Sequence, residues 1–156
     1  MNSNLSAILS LHAELSLVLI LLVALLADLF MGRHRQRWFH PVICVLMALQ
    51  IGLNLTPDTR ALFGGMYVNT PFTSIVKSIL SAGTLLIFLQ SGEWLGRKDT
   101  HYKQGEFYVL TLSTLLGMFF MVSAGHFLIF YIGLEMASIP MACLWPSTNT
   151  ATTARN

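Results

Sequence analysis

Five apolar runs govern what this chain can fold into: Ile8 to Phe30, Phe39 to Leu55, Phe72 to Gln90, Phe107 to Ala124 and Phe127 to Trp145. Each is close to the ~20 residues that a helix needs to cross a ~30 Å hydrocarbon core. Lipid offers no hydrogen-bond partners, and a helix satisfies its backbone groups internally, so several such runs in one chain predict an all-α, polytopic transmembrane helix bundle. The composition agrees: 54% of residues are hydrophobic and 10% charged, against roughly 45–50% and about 25% in soluble domains. The last segment, 146–156, is a short polar tail of a different kind.

The first run differs from a secretory signal, because it lacks a basic leading region and "VALLADLF" has no small-residue cleavage site before Asp28. Cys44 and Cys143 fall inside predicted helices, where a small soft side chain packs. Their spacing supports neither a disulfide framework nor a metal site.

Orientation follows from the basic residues, which concentrate in cytoplasmic loops. With the N-terminus outside, Arg33, Arg35, Arg37, Arg97, Lys98, Lys103 and Arg155 all lie inside; Arg60 falls in an outer loop and Lys77 within the third run. Trp38, Trp94 and Trp145 sit near the predicted inner boundary, as an aromatic belt would. Pro41 is expected in the first turn of the second helix, where its missing N–H does no harm. In the outer loop "TPDTRALFGGMYVNTPFT", Gly64 and Gly65 supply a bend that other residues resist. The turn near "SAGH" is so short that the last two helices must be antiparallel neighbours.

Glu135 is the strongest chemical signal. A charged side chain at mid-bilayer costs about 2.5–3.5 kcal/mol on insertion scales, so its presence there points to a role. Desolvation favours the protonated form unless a cation is near, which is the behaviour a proton relay needs. Tyr131 lies four residues before it and Ser138 three after, so both hydroxyls share its helix face. Gly133 and Pro140 are expected to open room for solvent beside the acid. The competing reading is a protonated glutamate that bonds a neighbouring helix.

Lys77 lies six residues past Pro71, ~9 Å into its helix at 1.5 Å per residue. Snorkelling toward the outer surface is the favoured reading; the other is a relay cation or a partner for an acid on another helix. Glu14 and Asp28, near the two ends of the first run, are expected to reach interfacial water. His12, His34, His40, His101 and His126 are scattered over helix ends and loops and read as interface residues. No nucleotide, iron–sulfur or haem motif occurs, so this chain is expected to bind no cofactor itself. The +2 net charge reflects the inner loops and gives no nucleic-acid-binding stripe.

Several pieces carry a family resemblance: Gly105-Glu106-Phe107-Tyr108, Gly117, Tyr131-Ile132-Gly133-Leu134-Glu135 with Ser138, and "LFGGMYVNTPF" in the outer loop. Together they resemble the antiporter-like membrane subunits of bacterial NADH-quinone oxidoreductase (respiratory complex I), subunit N in particular. The "GLE" core is shared with sister subunits and with multisubunit cation/proton antiporters, which leaves an antiporter fragment as the alternative. The resemblance implies a longer, multi-pass subunit of the bacterial inner (plasma) membrane whose fifth-helix glutamate, matched by Glu135, takes part in proton translocation. It also implies other complex I membrane subunits as partners, and NADH and quinone used by the whole complex. In the family this acid works with a lysine in a later helix, and Lys77 does not match that lysine.

After Leu144 the likeness stops at "WPSTNTATTARN". One coding choice for that tail, reread with one G restored between the Leu144 and Trp145 codons, gives Val-Ala-Phe-Asn-Lys-Tyr-Arg-His-Asp-Ser-Ala-Glu, which is similar to the family's continuation. The tail is therefore expected to be a frameshift product and the chain a truncated subunit; an inactive product is the further alternative. The genomic sequence beyond the Leu144 codon checks this, and an intact frame with no family-like codons downstream overturns it.

Overall fold

The computed structural model describes residues 11–30, 36–54, 60–95 and 104–153, with side chains over 11–30, 40–54, 64–92 and 105–143. The chain is a bundle of five α-helices among these residues: α1 (His12–Phe30), α2 (Gln36–Asn54), α3 (Pro71–Leu95), α4 (Gln104–Val122) and α5 (Phe127–Thr153). Between α2 and α3 runs a small antiparallel hairpin, β1 (Arg60–Leu62) and β2 (Tyr67–Asn69), with a 3-10 turn over Phe63–Gly65. Among the described residues, three helices are long and apolar enough to cross a membrane: His12–Phe30, Pro71–Gly92 and Gly105–Val122. Shorter apolar stretches cover His40–Asn54 and Phe127–Cys143. Of the predicted inner-loop cations, Arg33, Arg35, Arg97, Lys98, Lys103 and Arg155 lie outside the described residues, as do the side chains of Arg37, Trp38, Trp94 and Trp145.

The bundle is apolar outside and selectively polar inside. On α1 the buried positions are Ala13, Glu14, Leu17, Ile20 and Ala24, one face at helical spacing. Leu19, Leu22, Leu29 and Phe30 point outward, as lipid-facing residues would. α3 takes the pattern further: its buried face is Thr73, Ser74, Lys77, Ser81, Thr84 and Phe88, while Phe72, Ile75, Ile79, Leu86 and Leu89 are exposed. Apolar surface gains nothing by hiding from lipid, whereas polar groups must be hidden, so the polar stripe turns inward.

α4 is the central helix and packs on α1, α3 and α5. Its Tyr108, Leu112, Leu115 and Phe119 join Leu17, Met47 and Phe88 in the core. The α4 and α5 backbones pack against each other directly. A Cβ at Gly117 would lie 2.6 Å from the Ala137 backbone nitrogen, and one at Gly133 would lie 2.8 Å from both the Gly117 oxygen and the Met121 nitrogen. Numbers fall on one helix as they rise on the other, so the pair is antiparallel, as the short turn required. Gly133 thus opens no room for solvent; it lets two backbones touch.

The hairpin is bent where the glycines permit it, with φ of 66° at Gly64 and 90° at Gly65. It is docked on the α4–α5 turn: the Val68 N–H donates to the Ser123 carbonyl (2.9 Å) and the Gly125 N–H to the Met66 carbonyl (2.8 Å). It leads into α3 through a reciprocal cap. The Thr73 N–H donates to Thr70 Oγ1 (3.2 Å), the Thr70 N–H donates to Thr73 Oγ1 (2.9 Å), and Pro71 takes the first helical position. Thr70→Val is expected to cost about 1 kcal/mol, read as a fall in the thermal unfolding midpoint of the subunit in detergent.

Two expectations are corrected here. Pro41 lies inside α2, in its second turn, because the helix begins at Gln36. His40 is not an interface residue but a half-buried one: its Nε2 lies 2.9 Å from the Phe88 carbonyl, and its ring meets Tyr108 edge-on at 6.1 Å. Gly92 makes that possible, since a Cβ there would be 2.3 Å from the imidazole. His34 and His101 lie outside the described residues.

Candidate functional site

Two groups of ionisable residues stand out, and they occupy different parts of the bundle. The first is on α5. Glu135 is partly exposed and lines an open groove of about 330 Å³ with Ser113 of α4 and Tyr131, Ile132, Met136, Ile139 and Pro140 of its own helix. The Tyr131 phenol, one turn earlier, interacts with the Glu135 carboxyl. Ser138 does not reach that carboxyl; its hydroxyl donates to the Glu135 backbone carbonyl at 3.3 Å. The walls are otherwise apolar, so an arriving polar group would meet the carboxyl, the phenol and the Ser113 hydroxyl. Around the groove α5 presents Phe127, Leu128, Tyr131, Ile132, Ile139 and Met141 outward.

The second group is enclosed. Lys77 is 1% exposed and Glu14 3%, and the Lys77 ammonium donates to Glu14 Oε1 at 2.5 Å. Tyr67 completes the cluster: its hydroxyl accepts from Lys77 Nζ (3.0 Å) and donates to the same Glu14 oxygen (2.5 Å). The ammonium also lies 5.3 Å from the Tyr67 ring centre and 5.7 Å from that of Phe119, where aromatic faces favour a cation. Burial, and next the neighbouring Glu14 carboxylate, push the Tyr67 phenol well above its ordinary range. It therefore stays protonated and serves as a donor.

This cluster overturns two readings. Lys77 does not snorkel outward; it turns inward, because an acid on another helix compensates its charge. Glu14 does not reach interfacial water, because Tyr67 on the docked hairpin covers it. Asp28 is exposed, and its carboxylate lies over the Cα of Gly105, where a Cβ would be 1.7 Å from Oδ1.

A chain of buried polar contacts starts at the residue beside Glu14. The Ala13 carbonyl accepts from Gln50 Nε2 (2.7 Å), and the single Ser16 O–H donates to Gln50 Oε1 (2.6 Å), with the Ala13 carbonyl 3.0 Å from the same Oγ. Gln50 then reaches Asn54 (3.4 Å), whose Nδ2 donates to Ser81 Oγ (3.2 Å), one turn beyond Lys77. These bonds tie α1, α2 and α3 together. Sequence reasoning missed Glu14 and Tyr67 as members of this site. The available signal was the helical spacing of Thr73, Ser74, Lys77, Ser81 and Thr84, a polar face that requires a polar partner.

No family model matches the chain. It is, however, 56% identical over 141 residues, 90% of its length, to NADH-quinone oxidoreductase subunit N of Phocaeicola vulgatus. Subunit N of Azobacteroides pseudotrichonymphae is 39% identical over 142 residues, and that of Neisseria gonorrhoeae 36% over 135 residues, or 89% and 84% of this chain. Over the length it shares with them, the chain belongs to the subunit N family. It spans 30%, 30% and 27% of the length of these three relatives. The likeness read from the fourth and fifth runs and the outer loop thus agrees with a match over 90% of the chain.

Proposed function

We propose that this chain forms part of a membrane subunit of a proton-translocating NADH-quinone oxidoreductase of the bacterial inner membrane, assembled with the complex's other membrane subunits. Glu135 is its proton carrier; NADH and quinone react elsewhere in the complex, and no cofactor binds this chain. The observation that carries the reading is the setting of Glu135, a carboxyl on a membrane helix with a phenol beside it and an open groove before it. The groove gives a proton a way to reach that carboxyl and to leave it, and a carboxyl within hydrogen-bond reach of its donor is a competent proton carrier. Quinone reduction elsewhere would shift nearby charge, change the hydration of the groove and so load or unload Glu135.

In a subunit of the relatives' full length, assembled in its complex and reconstituted into vesicles, Glu135→Gln keeps the shape of the side chain and removes the acid. Proton uptake per electron is expected to fall far more than the rate of quinone reduction. Dye quenching that reports an unchanged proton-to-electron ratio in this variant would end the assignment.

A further inference from the structure

We propose that Glu14, Lys77 and Tyr67 form a second proton-holding site, in which Glu14 Oε2 takes up the proton and Tyr67, carried on the hairpin, closes the way in. This rests on the proton-translocating reading of the subunit but not on Glu135, from which the cluster is spatially separate.

The first support is the asymmetry of the carboxylate. Oε1 receives both donors, from Lys77 and from Tyr67. Oε2 is buried and has no hydrogen-bond partner. An acceptor left bare at that depth costs the full loss of its hydration. A fastening built only for strength would place a donor on each oxygen, or use apolar groups, which commonly equal or exceed a buried ion pair in stability. A bare oxygen is instead the place for one more proton.

The charge balance is simple. With Glu14 ionised and Lys77 protonated the pair is neutral. Uptake of one proton forms an O–H bond at Oε2, turns the carboxylate into a carboxylic acid and leaves the ammonium charge uncompensated. The contacts to Oε1 lose their charge assistance. Loss of the same proton restores the neutral pair, and no bond between heavy atoms changes.

The surroundings fix where that proton enters. Among the described residues, Lys77 from α3 and Tyr67 from β2 are the titratable groups set against Glu14; His12 lies two residues earlier on α1 itself. α2 offers the Gln50 amide, bonded to the Ala13 carbonyl, α4 offers the Phe119 ring, and the α4–α5 turn offers Ser123. Amides hold a geometry but do not pass protons through one atom, so the Gln50–Asn54–Ser81 chain positions the helices without conducting. Among the described residues, the route left is under the hairpin, past the Tyr67 hydroxyl. Tyr67 is bound to both members of the ion pair while β2 is bonded to the α4–α5 turn. Lifting the hairpin would uncover Glu14 and remove one donor from it in the same movement.

Infrared difference spectra of the assembled, reconstituted complex test this. A pH step should produce a carboxylic-acid C=O band that shifts on deuteration, disappears in Glu14→Gln and persists in Glu135→Gln. Tyr67→Phe should keep the band and speed its deuterium exchange by roughly tenfold or more, the factor to which one charge-assisted hydrogen bond corresponds. Glu14→Gln should lose proton translocation per electron while keeping quinone reduction. Where that variant does not assemble, the charge-free pair Glu14→Gln/Lys77→Met takes its place and should assemble but pump poorly. A native proton-to-electron ratio in either variant, or a spectrum with no band that depends on Glu14, overturns the proposal. Loss in the Glu14 variants beside native pumping in Glu135→Gln supports this site and removes the earlier one.

Discussion

Lys77→Met, made singly, should destabilise the bundle by about 3–5 kcal/mol, because it strands a buried carboxylate that has lost its counter-charge. The lysine is 1% exposed and bonded to Glu14 at 2.5 Å. Methionine fills most of the volume, so packing contributes little to the loss. The carboxylate keeps a single donor, the Tyr67 hydroxyl. Adding Glu14→Gln should recover most of the deficit, since a neutral amide can accept from Tyr67 without a buried charge. The measurement is thermal unfolding of wild type, both single variants and the double variant in one detergent. A double variant no more stable than Lys77→Met would show that the lysine acts through its packing and not its charge. This thermodynamic cycle differs from the pumping assay: it asks what the pair contributes to stability, whereas that assay asks what Glu14 does with a proton.

The depth of Lys77 was legible in the sequence, but its direction was not. A lysine ~9 Å into a helix can extend toward water or turn inward. The choice depends on whether a partner waits inside, and that partner lies 63 residues away along the chain. Tyr67 was harder still. It sits on a two-stranded hairpin between helices, and its reach to Glu14 depends on β2 docking against the α4–α5 turn, a contact between distant segments that no periodicity encodes. The apolar runs, by contrast, were plain, because the bilayer imposes one length and one composition on every spanning segment. Helix ends were less so. α3 continues to Leu95 and α5 to Thr153, past the apolar residues that mark the runs, since a helix persists into polar sequence as long as its backbone bonds are made. Glu135 was recognisable by the cost of its position, while the partial exposure of its groove follows from α5 packing chiefly on α4 and leaving its other faces open.

The Gly133 crossing should tolerate almost no added side chain. Alanine there would place its Cβ 2.8 Å from the Gly117 carbonyl oxygen and 2.8 Å from the Met121 backbone nitrogen. Those atoms belong to the α4 backbone and cannot swing aside, so the two helices must move apart. Overpacking of this kind costs about 1–3 kcal/mol, and more for larger residues. Gly133→Leu is therefore expected to undock α5 altogether. Gly133 is two residues from Glu135, so even the alanine variant should widen the groove between Ser113 and the carboxyl and reduce proton translocation without touching an ionisable group. Gly83→Ala is the matched control. Its Cβ meets nothing within 4 Å in the middle of α3, so the substitution should stabilise by about 0.5–1 kcal/mol through reduced chain entropy. If Gly133→Ala matched Gly83→Ala in unfolding midpoint and in pumping, α4 and α5 would not be held by close backbone contact. Glu135 would then depend for its position on some other part of the molecule.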